Sequence, residues 1–351
     1  MVWTPPPLPE ETPMTTYRAW AAPKPGAALE AFEYDPGPLA DDQVEITVEH
    51  CGICHSDLSM LDNDWGFTQY PFVPGHEAVG RVTALGANAR GVVMGQRVGL
   101  GWNAHSCLHC DSCLAGDQHL CRELQPTLAG RHGAFADKVR AHWVWVMPLP
   151  DALDAAECGP LLCGGITVFA PLRELGISPT ARVAVVGIGG LGHMALKFCR
   201  AWGCEVTAFT TSASKEEEAR AFGAHHVVTT GDAGALEKLA GRFDLIIDTV
   251  NVPLDWNGLL AALAPKGKLH VVGAVLEPIP VPAFSLIMGQ KALSGSPTGS
   301  RGAIDSMLDF AARHGVAPKT EHFPMSRANE AIEHLRAGKA RYRIVLDADF
   351  G

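Results

Sequence analysis

The chain has 351 residues, 47% of them hydrophobic, with 28 Lys and Arg against 38 Asp and Glu, a net charge of -10. That length exceeds what one core usually organises, so two domains are expected, and the acidic balance excludes a phosphate-backbone binder, which needs a basic face. No basic stretch followed by an apolar one opens the sequence and no long apolar run occurs, so a cytoplasmic protein without a membrane span is expected, with its ten cysteines serving as metal ligands or buried thiols rather than disulfides.

Residues 1–14 contain five prolines and are expected to form a loose extension, with Met14 as an alternative start. Residues 15–160 read as a compact antiparallel β region, because short β-branched runs such as Val44 to Val48, Ala78 to Val82 and Arg97 to Leu100 are separated by Gly and Pro. Cys54-His55-Ser56-Asp57 follows the first of these runs and Gly75-His76-Glu77 precedes the second, both at loop ends suited to a cleft. Cys107, Cys110, Cys113 and Cys121 follow the spacing C-x2-C-x2-C-x7-C. Each short interval lets the chain turn two sulfurs onto one ion, so the quartet is read as a closed, structural zinc site; free surface thiols are the bland alternative.

Cys54, His76 and Cys163 offer a different set, Cys2His, which would hold zinc and leave one position open for water or substrate. Cys163 stands far from the other two, and spacing alone reads it equally well as a small buried filler. Cys51, Cys158, Cys199 and Cys204 are expected to be filler. His55 is a poor ligand because it adjoins Cys54. Asp57 and Glu77 suit support of the site: a carboxylate can orient the His76 ring, and Glu77 can itself approach the metal.

Residues 161–299 change texture to apolar strands alternating with helix-length segments, the pattern of a doubly wound parallel sheet. Gly187-Ile188-Gly189-Gly190-Leu191-Gly192 follows the strand Arg182 to Val186 and opens a helix running to about Arg200. Strand, glycine spacing and helix together make this a dinucleotide loop rather than an ordinary turn. At the end of the second strand, where NAD sites place an acid, the chain has Thr210-Thr211-Ser212-Ala213-Ser214-Lys215. Small hydroxyls and a lysine suit a 2'-phosphate, so NADP is favoured; Ser212 and Ser214 can equally cap the next helix. Residues 300–351 return to a helix, Ala303 to His314, and a last strand, Tyr342 to Leu346, expected to rejoin the first domain.

Together these segments resemble the zinc-dependent medium-chain alcohol dehydrogenases, in the cinnamyl-alcohol-dehydrogenase-like branch of bacterial NADPH-dependent aldehyde reductases. The likeness spans nearly the whole chain. Its carriers are Cys51-Gly-Ile-Cys-His-Ser-Asp57, Pro74-Gly-His-Glu77, the cysteine quartet, Leu161-Leu-Cys-Gly-Gly-Ile-Thr167, Gly187-Ile-Gly-Gly-Leu-Gly-His193, Thr210-Thr-Ser212 with Lys215, and Arg341-Tyr-Arg-Ile-Val345.

The resemblance implies an α/β protein, a GroES-like β-rich catalytic domain plus a Rossmann domain. It implies two zinc ions per chain: a catalytic one on Cys54, His76 and Cys163 with Glu77 nearby, and a structural one on the quartet. It further implies Thr167 beside the nicotinamide, Arg343 at the pyrophosphate, and Thr211, Ser212 and Lys215 around the 2'-phosphate. Ser56 would pass the substrate proton toward solvent, and Trp65, Trp102, Pro297 and Thr298 would face an aromatic or medium-chain aldehyde. A homodimer is expected from the family and from the apolar stretch Leu286 to Leu293. One position departs from the family: where many relatives carry a relay histidine, this chain has Ser59. Rival readings are a polyol dehydrogenase or carbon-carbon double-bond reductase on the same scaffold, and a non-catalytic NADPH-binding zinc protein.

Overall fold

The computed structural model describes residues 16–231 and 234–350; the proline-rich segment expected at 1–14 lies outside them. Two sheets organise the molecule. One is six-stranded and wholly parallel, in the order His226–Thr229, Glu205–Thr210, Arg182–Val186, Phe243–Asp248, Leu263–Val271, Ala292–Gly295. Counting strands by chain order this is 3-2-1-4-5-6, the doubly wound arrangement whose ligand crevice opens where the order reverses, beyond the C-terminal end of the first strand.

Its central strands are uninterrupted apolar runs because helices cover both faces. Val183, Ala184 and Val185 are fully buried, as are Leu245, Ile246 and Ile247. At the crevice Gly187 has φ +85°, which a side chain rarely tolerates. Gly192 opens the helix Gly192–Trp202, and a Cβ there would lie 1.8 Å from the Gly187 carbonyl oxygen. The first and last glycines of the loop are therefore required by the backbone itself.

The other sheet has seven strands, with Gln43–Ile53 at its centre between Arg343–Asp347 and Ala78–Leu85. Lys138–His142 also pairs with Gln43–Ile53, and Arg97–Leu100 and Val146–Pro148 continue the sheet. These pairings are antiparallel, as the alternating β-branched runs suggest; the exception is Thr320–Pro324, which pairs in parallel with Arg343–Asp347. Gln43–Ile53 slips register twice along Ala78–Leu85, between Glu45 and Ile46 and between Val48 and His50. Such bulges bend a strand and re-aim its end. Here the bent strand delivers the chain to Cys54.

The helix Gly164–Glu174 joins the two halves. It packs on Gly192–Trp202 and Arg301–His314, with Phe169 ringed by Phe198, Trp202 and Phe310 at centroid distances of 5.3, 5.7 and 5.4 Å. Such aromatic contacts add to the burial of large apolar area. Among the described residues no helix is long and apolar enough to cross a membrane.

Candidate active site

Cys54 stands at the junction after the strand Gln43–Ile53, where it is the N-cap of a short helix, His55–Asp62, that the sequence reading did not include. The helix owes its start to Asp57, at the third helical position, whose Oδ2 accepts the Cys54 backbone N–H at 2.8 Å. That bond satisfies a donor a helix start leaves orphaned and places a carboxylate at the positive end of the dipole. The other Asp57 oxygen accepts the Gly75 N–H at 2.8 Å and lies 3.1 Å from Nδ1 of His76. One buried carboxylate thus fixes the backbone of Cys54, the turn before His76 and the His76 tautomer, leaving Nε2 free to coordinate.

Nε2 of His76 is 3.3 Å from Sγ of Cys163, which is 4.0 Å from Sγ of Cys54. Cys54, His76, Glu77 and Cys163 are all buried, with one ligand atom of each within 4.8 Å of the others. The arrangement draws Cys163 from 109 residues away. Glu77 gives one carboxylate oxygen to the buried guanidinium of Arg343, while Oε2 has no partner. An orphaned buried carboxylate oxygen beside two thiols and an imidazole fits a divalent cation.

The charges of these groups are set by one another. The hydrogen bond from Cys163 outweighs burial and holds the Cys54 thiol well below its usual range. Burial pushes the Glu77 carboxyl up, against the opposing charge of Arg343. For His76, burial opposes the charged form but the charge of Asp57 overcomes it and the net direction is upward.

The quartet is built differently. Sγ of Cys107 lies 4.0 Å from that of Cys113, and Sγ of Cys110 3.9 Å from that of Cys121. A tetrahedron with Zn–S bonds of about 2.3 Å has S···S edges of about 3.8 Å. Backbone N–H groups of Cys107 and Glu123 point at the Cys121 sulfur and that of Cys110 at the Cys107 sulfur, each at 3.3 Å. Amide donors aimed at sulfur favour thiolates, so these four residues can hold zinc on one lobe. Cys51, Cys158, Cys199 and Cys204 behave as fillers: all are buried, and burial pushes Cys158 up to about 12 and Cys204 to about 11.

A cleft of about 520 Å³ runs between the two sheets, lined by Cys54, His55, Ser56, Ser59, Trp65, Gly187, Gly189, Gly190, Leu191, Thr211, Ser212, Lys215 and Arg343 among others. Gly192 sits behind it, packed on Gly187. Thr167 is also off the cleft wall, its hydroxyl donating to the Cys163 carbonyl at 2.8 Å. Ser212 caps the following turn by accepting from Ser214 N, and it still borders the cleft. Of the four expected substrate-facing residues only Trp65 lines the cleft. Trp102 stands edge-on to His76 at 4.9 Å and to Trp65 at 6.1 Å. Thr298 is buried, accepting from the Asn103 side chain at 3.4 Å, and Pro297 is off the wall.

Three further features had no role assigned from the sequence. Asn251 bridges to the His55 ring across the cleft mouth at 3.1 Å. Asp248, fully buried at the end of its strand with Oδ2 unpartnered, is pushed up to about 7 by burial. Tyr342, inside the Arg-Tyr-Arg motif, lines the cleft.

Residues 40–151 match the alcohol dehydrogenase GroES-like domain and residues 190–313 the zinc-binding dehydrogenase domain. Aldehyde reductase AdhA of Synechocystis sp. is 53% identical over 329 residues, 94% of this chain and 98% of that protein. The chain belongs to the zinc-dependent medium-chain alcohol dehydrogenases. Among solved structures, a cinnamyl alcohol dehydrogenase of Sorghum bicolor superposes with TM-score 0.91 at 38% identity, covering 95% of this chain and 98% of its own. A Helicobacter pylori cinnamyl alcohol dehydrogenase, solved with NADP(H), gives TM-score 0.88 at 26% identity, with 95% and 98% covered. This dehydrogenase therefore falls in the cinnamyl-alcohol-dehydrogenase-like branch, with the GroES-like and Rossmann halves that its motifs imply.

Proposed function

We propose that this dehydrogenase reduces aromatic and medium-chain aldehydes to primary alcohols with NADPH, reversibly, using one zinc at the cleft and a second in the cysteine lobe. The observation that carries the reading is the convergence of His76, Cys163 and the unpartnered Glu77 oxygen on Cys54, which lines the same cleft as the glycine loop. NADPH is supported by Thr211, Ser212 and Lys215 on that wall in place of an acid, and by the NADP(H) complex of the H. pylori relative. Aldehyde reduction is supported by the name of the Synechocystis relative.

Cys54, His76 and Cys163 would hold the cleft metal, with Glu77 at hand. When bound, zinc supplies Lewis acidity toward the substrate oxygen and the nicotinamide supplies the hydride. The chain's own work is placement and proton handling. Asp57 fixes two ligands, and Arg343, buried against Glu77, brings positive charge to the glycine loop, its Nη1 3.0 Å from where a Cβ of Gly190 would sit. Ser56, 3.7 Å from the Cys54 sulfur, passes the proton between substrate oxygen and water. Ser59, also on the wall, can conduct a proton but has no neutral-range pKa with which to store one. Trp65 offers an apolar face to the organic end of the aldehyde.

Metal analysis combined with NADPH and NADH consumption against a panel of aromatic aldehydes, aliphatic aldehydes and polyols tests this. Two zinc per chain and NADPH-preferring aldehyde turnover are expected; one zinc, an NADH preference or polyol-only turnover refutes the corresponding part. We also infer a homodimer, formed through the edge strand Ala292–Gly295 and the neighbouring helix Ala283–Ile287. Phe284, Ile287 and Met288 there are 73%, 66% and 76% exposed, an apolar cluster that invites burial. Sedimentation of Phe284→Asp with Met288→Asp as a monomer would bear this out. Six cysteines gathered in two ligand clusters and four buried singly support a reducing, cytoplasmic setting.

A further inference from the structure

Tyr342 lines the cleft together with Thr211, Ser212 and Lys215, whose ammonium donates to the Ile188 carbonyl at 3.0 Å, and three cations gather near it. The Lys215 ammonium lies 6.0 Å from its ring centroid and that of Lys319 5.8 Å. Its hydroxyl donates to Glu218 at 2.5 Å, and the other oxygen of Glu218 is 3.8 Å from the Lys319 ammonium. One carboxylate therefore answers to both the tyrosine and Lys319. Arg341 adds a third cation: its backbone N–H is tied to Glu321 at 2.8 Å, while its exposed guanidinium donates within its own segment, to the Ala340 carbonyl. Burial, and next the charge of Arg341, push the Lys215 ammonium down. The Arg341 charge is thus felt at the lysine on the cleft wall.

These cations come from two sides of the molecule. Lys215 follows a strand of the parallel sheet, whereas Lys319 and Arg341 flank the strands Thr320–Pro324 and Arg343–Asp347, which belong to the other sheet. Lys319 is held in place by its backbone: its N–H donates to Nε2 of His193 at 3.1 Å, and its carbonyl accepts from Tyr342 and Arg343. His193 is buried in the first turn of the helix after the glycine loop.

We propose that Lys319 and Arg341 are specificity residues for the 2'-phosphate of NADP(H), forming with Lys215 a phosphate-ester site that straddles both halves of the chain. The proposal rests on the NADPH reading above. A doubly charged phosphate monoester matches three cations beside small hydroxyls, since charge-assisted contacts to phosphate are the strong ones. A cofactor lacking that phosphate has nothing to offer Lys319 and Arg341.

The test uses the zinc-loaded enzyme and calorimetric binding of 2',5'-ADP and 5'-AMP, alongside kcat/KM for NADPH and for NADH. In the Lys319→Ala, Arg341→Ala double variant, both the 2',5'-ADP to 5'-AMP affinity ratio and the NADPH to NADH ratio are expected to fall by about fivefold or more, with Arg341→Lys on its own recovering most of the loss caused by Arg341→Ala. A smaller fall overturns the proposal. If the parent enzyme itself binds 5'-AMP as tightly as 2',5'-ADP, the NADPH reading fails. If the parent discriminates, Lys215→Ala abolishes the discrimination and the double variant keeps it, only the straddling site fails.

Discussion

The two cysteine clusters use the same chemistry and opposite construction. The quartet takes all its sulfurs from residues 107–121, with half-exposed Cys107 and Cys110, and its amide donors lie within 107–123. The cleft set is buried and gathered from Cys54 and His76, beside two strands of one sheet, and Cys163, on the connection leading to the other. A short loop closes four ligands at little entropic cost, whereas a distant ligand is positioned only once the whole core has formed. The lobe therefore depends on its metal for order, and the cleft depends on the fold for its metal site.

Breaking each cluster in turn tests that contrast. Cys163→Ala should reduce zinc from two to one per chain and lower aldehyde reduction by about a thousandfold or more, with thermal unfolding little changed; loss of both metals would show the clusters to be interdependent. Cys110→Ser should instead act through stability, because metal binding at a closed site is itself folding free energy. A lowered unfolding temperature and early proteolysis between residues 105 and 125, with activity surviving at low temperature, are the expected signs. An equal loss of activity at every temperature would contradict it.

Glu45 supplies a perturbation of the fold that touches neither cluster. It is buried among Tyr17, Lys138 and Arg140. Burial raises its pKa, but the hydrogen bonds from Tyr17, Lys138 and Arg140 overcome this and hold it at about 2. Its folded pKa lies below the unfolded value, so its contribution is present above about pH 4.5 and lost as pH falls toward 2. Glu45→Gln should cost about 3 kcal/mol near pH 7 and flatten the acid-induced loss of stability, read by denaturant unfolding across pH, while both zinc ions remain. The smallest effect expected is that of Ser59→His, which should add an inflection near pH 6.5 to alcohol oxidation and leave aldehyde reduction nearly flat; identical profiles would refute a relay role for this position.

How far the sequence disclosed these features follows from how local they are. The quartet, the glycine loop and the alternation of strands and helices in the parallel half are short-range patterns, readable because spacing alone determines geometry. Cys163 was ambiguous by spacing and became assignable only through the family likeness, since nothing near it in the chain names its partners. The helix His55–Asp62 was missed because its mixed apolar and polar residues directly continue a strand, and its start is fixed by a capping bond rather than by periodicity. Arg343 and Glu77, 266 residues apart, left no local trace of their pairing. Trp102 and Thr298 were placed on the cleft by analogy, whereas packing sets them behind its wall.

Asp57 has a last consequence. Because its two oxygens grip the Cys54 amide, the Gly75 amide and the His76 ring at once, displacement of the helix's first turn carries the thiol and the imidazole along together. The site can drift as a unit without changing the distance between these two ligands, so breathing of the cleft is decoupled from distortion of the coordination geometry. An asparagine of the same shape would break this, because its amide nitrogen would meet an N–H donor head-on.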